Sequence, residues 1–208
     1  MKTLTKVRVT CMAGAALILG ALSGTSSSAL VDDDDHEITA EATIAGATGS
    51  GITGIARFSQ TSGGILPTVR VTVFVRGLAA NSTHGVHIHE NGNCGDSIPA
   101  PPAPPVPVPF GGAGGHFDPG PFGNSGPDIN HPYHMGDLPN LKANSRGEAF
   151  ITHRTSRITL SAGPLSVFDT NGSAVIVHLN EDQGITGAAG TGVSGGPRIA
   201  CGIIRQTH

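Results

Sequence analysis

The 208-residue chain has no Trp, one Tyr and seven Phe, and only 13% of its residues are charged. Its 12 Lys and Arg stand against 15 Asp and Glu, a formal charge of −3, which excludes a nucleic-acid binder held by a basic surface. Long apolar runs are missing. The best one, Met12 to Leu22, is followed by small polar residues and is too short to span a bilayer stably. No window sustains a 3.6-residue apolar period, so amphipathic helices are excluded as the main building element. The 31 Gly and 15 Pro stay below the share that signals disorder, and the Gly has no three-residue period, which excludes a collagen-like chain. Cysteine is scarce, at three residues. Histidine is not: there are ten. Imidazole is the commonest protein metal ligand, so this composition leans towards metal chemistry.

Lys2, Lys6 and Arg8 precede the apolar run, and Gly24-Thr25-Ser26-Ser27-Ser28-Ala29 follows it. A basic start, a short apolar core and small residues at Ser27 and Ala29 read as a secretory signal, residues 1–29, cleaved after Ala29. Cys11 lies before the run rather than after it, which argues against a lipid-anchored Cys. Cleavage removes three basic and no acidic residues, leaving nine against 15 and a net charge of −6. It also leaves two cysteines, Cys94 and Cys201. In an exported chain an isolated pair reads as a disulfide. Bridging them closes a loop of roughly 100 residues, worth on the order of 4–5 kcal/mol in the chain-entropy model. Residues 30–36, with Asp32 to Asp35 and His36, form an acidic start that reads as a solvated flexible tail or, alternatively, a weak metal-scavenging one. The expected location is therefore a periplasm or the outside of the cell.

Residues 37–208 read as one domain built of strands. Glu37–Ile44, Ile52–Gln60 and Thr68–Val75 alternate or run in β-branched residues between Gly, Ser and Pro clusters; in the third, Val69, Val71, Val73 and Val75 recur at period two. Further candidates are Gly85–Glu90, Ala149–Thr155, Arg157–Leu160, Ala174–Asn180 and Arg198–Arg205. Short strands with long Gly-rich connections predict an all-β fold, an antiparallel sandwich or Greek-key barrel. Two connections, 91–147 and 181–197, are too long for plain turns, and loops of that length in a compact domain carry function or are disordered. The proline-rich insertion 99–109 favours a stiff polyproline II spacer, with a docking peptide as the other reading.

His87 and His89 are two apart in a strand pattern, so both imidazoles share a face and reach one point. His178 lies near the end of another strand, and His116 follows Gly114-Gly115, where backbone can approach another element closely. His131, His134 and Asp137 recur at i, i+3 and i+6 on a loop, which fits a tetrahedral zinc site in need of a fourth ligand. Each signal has a plain alternative: a satisfied core histidine, or an exposed loop residue. Together in an exported β domain they converge on a metal site.

These residues carry a resemblance. Gly85-Val86-His87-Ile88-His89-Glu90 resembles the copper-binding strand of the copper–zinc superoxide dismutases. Gly115-His116-Phe117-Asp118-Pro119 is similar to the segment with the metal-bridging histidine, and His134-Met135-Gly136-Asp137-Leu138 to the zinc-loop motif. Val175-Ile176-Val177-His178 resembles the strand with the last copper ligand. Gly196-Pro197-Arg198-Ile199-Ala200-Cys201-Gly202-Ile203-Ile204 resembles the C-terminal strand with the active-site arginine and the second disulfide cysteine. The match runs from about Glu37 to the C-terminus with the five motifs in the family's order, and the export signal with the short His89-to-Cys94 spacing resembles the bacterial secreted branch.

The resemblance implies an eight-stranded Greek-key barrel with long metal-binding and electrostatic loops, copper and zinc as cofactors, and superoxide as substrate. It implies copper ligands His87, His89, His116 and His178, with His116 shared between the metals and delivering a proton. Zinc would take His116, His134 and Asp137. Arg198 would attract the anion, and Asp182 would link a copper histidine to a zinc histidine; an exposed loop acid is its other reading. The family's first zinc histidine falls near Asn124. Either His131 has moved into that role, or the zinc site is weak or empty. A non-catalytic copper or zinc carrier on the same barrel, and a zinc hydrolase built from His131, His134 and Asp137, are the competing functions. No nucleic-acid or membrane partner is expected, and the resemblance leaves a homodimer open, because dimer surfaces differ between branches of the family.

Overall fold

The computed structural model describes residues 37–61, 66–98, 106–120, 123 and 125–207. The expected signal segment, the acidic start, Asn124 and most of the proline-rich insertion lie outside the described residues. Among the described residues ten strands follow one another: β1 (Ile38–Gly46), β2 (Thr53–Thr61), β3 (Thr68–Arg76), β4 (Thr83–His84), β5 (Val86–His89), β6 (Leu141–Lys142), β7 (Ala149–Thr155), β8 (Ala174–His178), β9 (Arg198–Ile203) and β10 (Arg205–Gln206).

Eight of them form one antiparallel sheet in the order β5-β8-β9-β1-β2-β3-β7, with β10 added beside β1. Strands β1, β2 and β3 form a meander. The chain then crosses to the far end of the sheet for β5 and returns to β3 with β7, the crossover of a Greek key. A two-stranded ladder joins β4 to β6.

Alternation sets the faces. Val69, Val71, Val73 and Val75 are fully buried while Arg70, Phe74 and Arg76 of the same strand face solvent, the period of a half-buried strand. Residues from both ends of the sheet, Val86 and Ile88 of β5 and Ala149 of β7, join Ala42, Ile44 and Val71 in one apolar cluster. The sheet therefore curls around a single core, and each fully buried Val or Ile there stabilises by roughly 1.5–3 kcal/mol.

β5 and β8 depart from alternation, since every residue of both is buried. Their inner side chains enter the core, and the outer ones, His87, His89, Ala174 and Ile176, lie beneath the long loops. Ala174, Ile176, Cys201 and Ala113 form a second small cluster on that outer side. Cys94 and Cys201 are disulfide-bonded across 107 residues, which ties the loop carrying Cys94 to β9.

Two strand expectations are corrected. Arg157–Leu160 is not a strand: Thr159 pairs with the nearby 165–167 turn, its N–H donating to Leu165 O and its carbonyl accepting from Val167 N. The buried Gln60 side chain takes the Leu160 N–H at 2.6 Å, so local and side-chain partners replace a ladder. The run Arg198–Arg205 divides at Ile204, whose N–H donates to Ser173 O, and the piece beyond it, β10, pairs with β1 instead of β8.

Candidate metal centre

The edge of β5 gathers the site. Ile88 N–H donates to Gly136 O, Ile88 O accepts from Phe117 N, and Glu90 N–H donates to Gly115 O. The loop segments around residues 116 and 136 are thus laid on the strand that carries His87 and His89. Gly136 permits this contact: a Cβ there would sit 2.3 Å from Ile88 O, inside any allowed approach. His178 reaches the same outer face from the neighbouring strand β8.

His87, His89, His116 and His178 are all buried, and each offers a ring nitrogen within 4.8 Å of the others. Their other nitrogens are engaged. His89 Nδ1–H donates to Gly114 O at 3.0 Å, and His178 Nδ1–H donates to Gly196 O at 2.8 Å. His87 Nε2–H donates to Asp182 Oδ2 at 2.9 Å. In a neutral imidazole, donation through one nitrogen leaves the lone pair on the other. The four rings therefore turn His87 Nδ1 and the Nε2 atoms of His89, His116 and His178 towards one point, with the last Nε2 only 3.4 Å from that of His89.

A second cluster shares two of these rings: His87, His116, His131 and Asp137 also bring ligand atoms within 4.8 Å of one another. Asp137 is its hub. His116 Nδ1 lies 2.8 Å from Oδ1, while His131 Nδ1 at 3.3 Å and His134 Nδ1 at 3.2 Å face Oδ2. His116 therefore shows one nitrogen to each cluster. Asp182 joins them a second way, its Oδ1 taking His131 Nε2–H at 2.6 Å while its Oδ2 takes His87.

Buried ring nitrogens need partners. His87 Nδ1, His116 Nε2, His131 Nδ1 and His134 Nε2 have no hydrogen-bond partner and negligible exposure, a costly arrangement for polar atoms. The first two belong to the four-imidazole cluster and the third to the Asp137 cluster. A set of four imidazoles suits copper, and three imidazoles with one carboxylate suit zinc. The residues present fit copper at the four imidazoles, and zinc at His116, His131 and Asp137 with His134, which lies outside the second cluster but meets Asp137 Oδ2 at 3.2 Å, in place of the His87 that the first cluster already uses.

Charge follows the same division. Burial, then His116 and His178, push His89 well below its ordinary pKa, and burial and His87 do the same to His178. Burial and the neighbouring His87 bring His116 down to about 3 despite Asp137. His131 is moved the other way: burial opposes its charged form, but the carboxylates of Asp137 and Asp182 outweigh that and raise it to about 9. Asp137 and Asp182 are both held below the ordinary carboxylate range, the imidazole hydrogen bonds overcoming burial.

Arg198, at the start of β9, donates from Nη1 to Phe110 O at 2.8 Å and from Nη2 to Gly114 O at 2.5 Å. It lines a cleft of about 690 Å³ together with His178, Asn180, Gln183 and Ser194. The Gly114 and Gly196 carbonyls and the Asn140 side chain, which brackets Asp182 by donating to its O and accepting from its N–H, are missing from the sequence reading. A backbone carbonyl has no residue type to reveal it, and an isolated Asn has no motif.

A model of the copper/zinc superoxide dismutase family matches residues 52–204. The superoxide dismutase [Cu-Zn] of Deinococcus radiodurans is 39% identical over 159 residues, covering 76% of this chain and 79% of that protein. The extracellular superoxide dismutase [Cu-Zn] of Drosophila melanogaster is 37% identical over 140 residues, covering 65% and 67%. The crystal structure of a SOD-like protein from Bacillus subtilis matches with a TM-score of 0.57 at 25% identity, over 78% of this chain and 96% of that one. With a match across most of the chain and a buried double histidine cluster of the right chemistry, the chain belongs to the copper/zinc superoxide dismutase family.

Proposed function

We propose that this chain is an exported superoxide dismutase that binds copper at His87, His89, His116 and His178 and zinc at His116, His131, His134 and Asp137. The observation that carries the reading is His116, whose ring offers Nδ1 to the Asp137 cluster and Nε2 to the four-imidazole cluster. Copper held in such a site would supply a reversible one-electron couple, able to oxidise one superoxide to dioxygen and reduce the next to peroxide.

The residues supply the rest. His116 Nε2 is buried at the four-imidazole cluster with no hydrogen-bond partner, so it would be the atom that takes up and gives back a proton in the peroxide-forming half of the cycle. The Asp137 side keeps its ring in place meanwhile. Arg198 supplies a permanent positive charge for the anion. Gly114 O accepts from both His89 Nδ1–H and Arg198 Nη2, so one peptide registers the guanidinium against a copper-side ring. Asp182 holds His87 and His131 in matching tautomers.

Export is supported by the Cys94–Cys201 bond, which persists in oxidising compartments, and by the signal-like residues 1–29. Among the described residues no helix is long and apolar enough to cross a membrane. Glu90, the acid beside the histidines that a hydrolase would need as its base, has its Oε1 accepting from Gly115 N–H at 2.8 Å.

The test is metal content per chain after exposure of the mature, oxidised protein to both ions, followed by a superoxide assay. One copper, one zinc and rapid superoxide loss are expected. Both metals without turnover would leave a carrier, and no copper at all would overturn the dismutase reading.

A further inference from the structure

The segment joining β8 to β9 is a hairpin-like loop. Leu179 N–H donates to Pro197 O, Asn180 N–H to Gly195 O and Gln183 N–H to Val193 O. Each leg orients one ring of the four-histidine cluster, Asp182 acting on His87 and Gly196 O on His178. Asn140 brackets Asp182 on one leg, and a further hold on the loop comes from the segment that also carries His131.

Asp128 is 4% exposed, and its carboxylate is enclosed by donors from this loop. Oδ2 accepts from Gly192 N–H at 2.9 Å, and Oδ1 accepts from Ser194 N–H at 3.1 Å and Ser194 Oγ at 3.0 Å. Its own carbonyl takes Gly187 N–H at 2.9 Å. Gly190 and Gly192 have φ of 81° and 75°, left-handed conformations that turn nearby N–H groups towards one anion, the geometry of a backbone nest. No Lys or Arg occurs between residues 179 and 197. The charge of Asp128 is therefore met by peptide and hydroxyl donors. Burial disfavours the carboxylate, but the Gly192 and Ser194 donors outweigh it and lower its pKa below the ordinary value. Thr186 Oγ1 adds a bond at 2.5 Å to His131 O, so the loop tip is clasped at two points.

We propose that Asp128 is a positioning residue for the copper-side imidazoles: seated in the Gly190–Ser194 turn, it holds the loop so that Asp182 and Gly196 meet His87 and His178. The inference rests on reading the four-histidine cluster as a copper site. Because Asp128 and His131 share one segment, the clasp also couples the zinc-side loop to the copper-side rings.

The experiment uses the whole mature chain with Asp128→Ala and Asp128→Asn. In the metal-free protein, amide exchange and ring ¹⁵N–¹H signals are followed; in the metal-loaded protein, copper release to a chelator is timed. Asp128→Ala is expected to lose exchange protection at Gly187, Gly192 and Ser194, to shift the His87 and His178 ring N–H signals, and to release copper about tenfold faster, as for loss of other outer-shell partners. Asp128→Asn, which keeps one oxygen acceptor, should show a smaller change. Added formate should restore protection, ring signals and slow release in Asp128→Ala by refilling the turn. Unchanged ring signals and release overturn the proposal, and so does loss of protection throughout the sheet without formate rescue, which marks a general folding role. If the wild-type chain binds no copper while the metal-free signals respond as expected, the clasp stands and the copper reading fails.

Discussion

His131 Nε2 and Asp182 Oδ1 meet at 2.6 Å across 51 residues of sequence. The other oxygen of the same carboxylate is 2.9 Å from His87 Nε2, so this single carboxylate ties an imidazole of the 131–137 loop to one ring of the four-histidine cluster. It is also what turns His131 Nδ1 towards Asp137.

His131→Ala removes one ring from the Asp137 cluster and leaves Asp182 Oδ1 with only the Gly184 N–H. Zinc is expected to be lost before copper, with zinc affinity lowered at least about tenfold. Metal analysis after dialysis against buffered zinc checks this. Full zinc retention in the variant means that another ligand completes the site.

Arg198→Ala should lower kcat/KM for superoxide by roughly 10–100-fold, since local focusing of the anion is lost. In the unaltered protein the salt dependence should be shallow. The 179–197 loop has no Lys or Arg, and the proposed cleavage after Ala29 would leave a net charge of −6, so a long-range positive field for ions to screen is not expected. Pulse radiolysis across a range of ionic strengths measures both, and a steep fall in rate with salt contradicts the local model.

The metal-free chain should be most stable near pH 6.5. His131, raised to about 9, and His134, also raised, give stabilisation that is present below the unfolded value of 6.5 and lost as pH rises towards 9. His89, His116 and His178, all lowered, give stabilisation that is present above 6.5 and lost as pH falls. Asp137 and Asp182, lowered from 3.8, lose theirs at still lower pH. Thermal unfolding of the metal-free protein from pH 4 to pH 9 should give a maximum with a fall on both sides, and a monotonic curve would contradict these shifts.

Much of the fold was legible because strand signals are local. The valines of β3 declare a half-buried strand by period alone, and Ala149–Thr155 matches β7 to the residue. Where a strand is judged by residue type without its partners, the reading slips. Arg157–Leu160 has the right β-branched character, yet Gln60, 100 positions away from Leu160, takes the N–H that a ladder needs.

By itself the sequence determined which ligand types are available and how they are grouped: two imidazoles on one strand face, two imidazoles and a carboxylate on one loop, and two cysteines to join. Only the tertiary structure decided which nitrogen of each ring is committed. Those choices depend on carbonyls and carboxylates far away along the chain, Gly114 for His89, Gly196 for His178 and Asp182 for both His87 and His131. A hydrogen bond acts over about 3 Å, and no spacing in sequence records which distant groups the curled sheet and its loops bring within that reach.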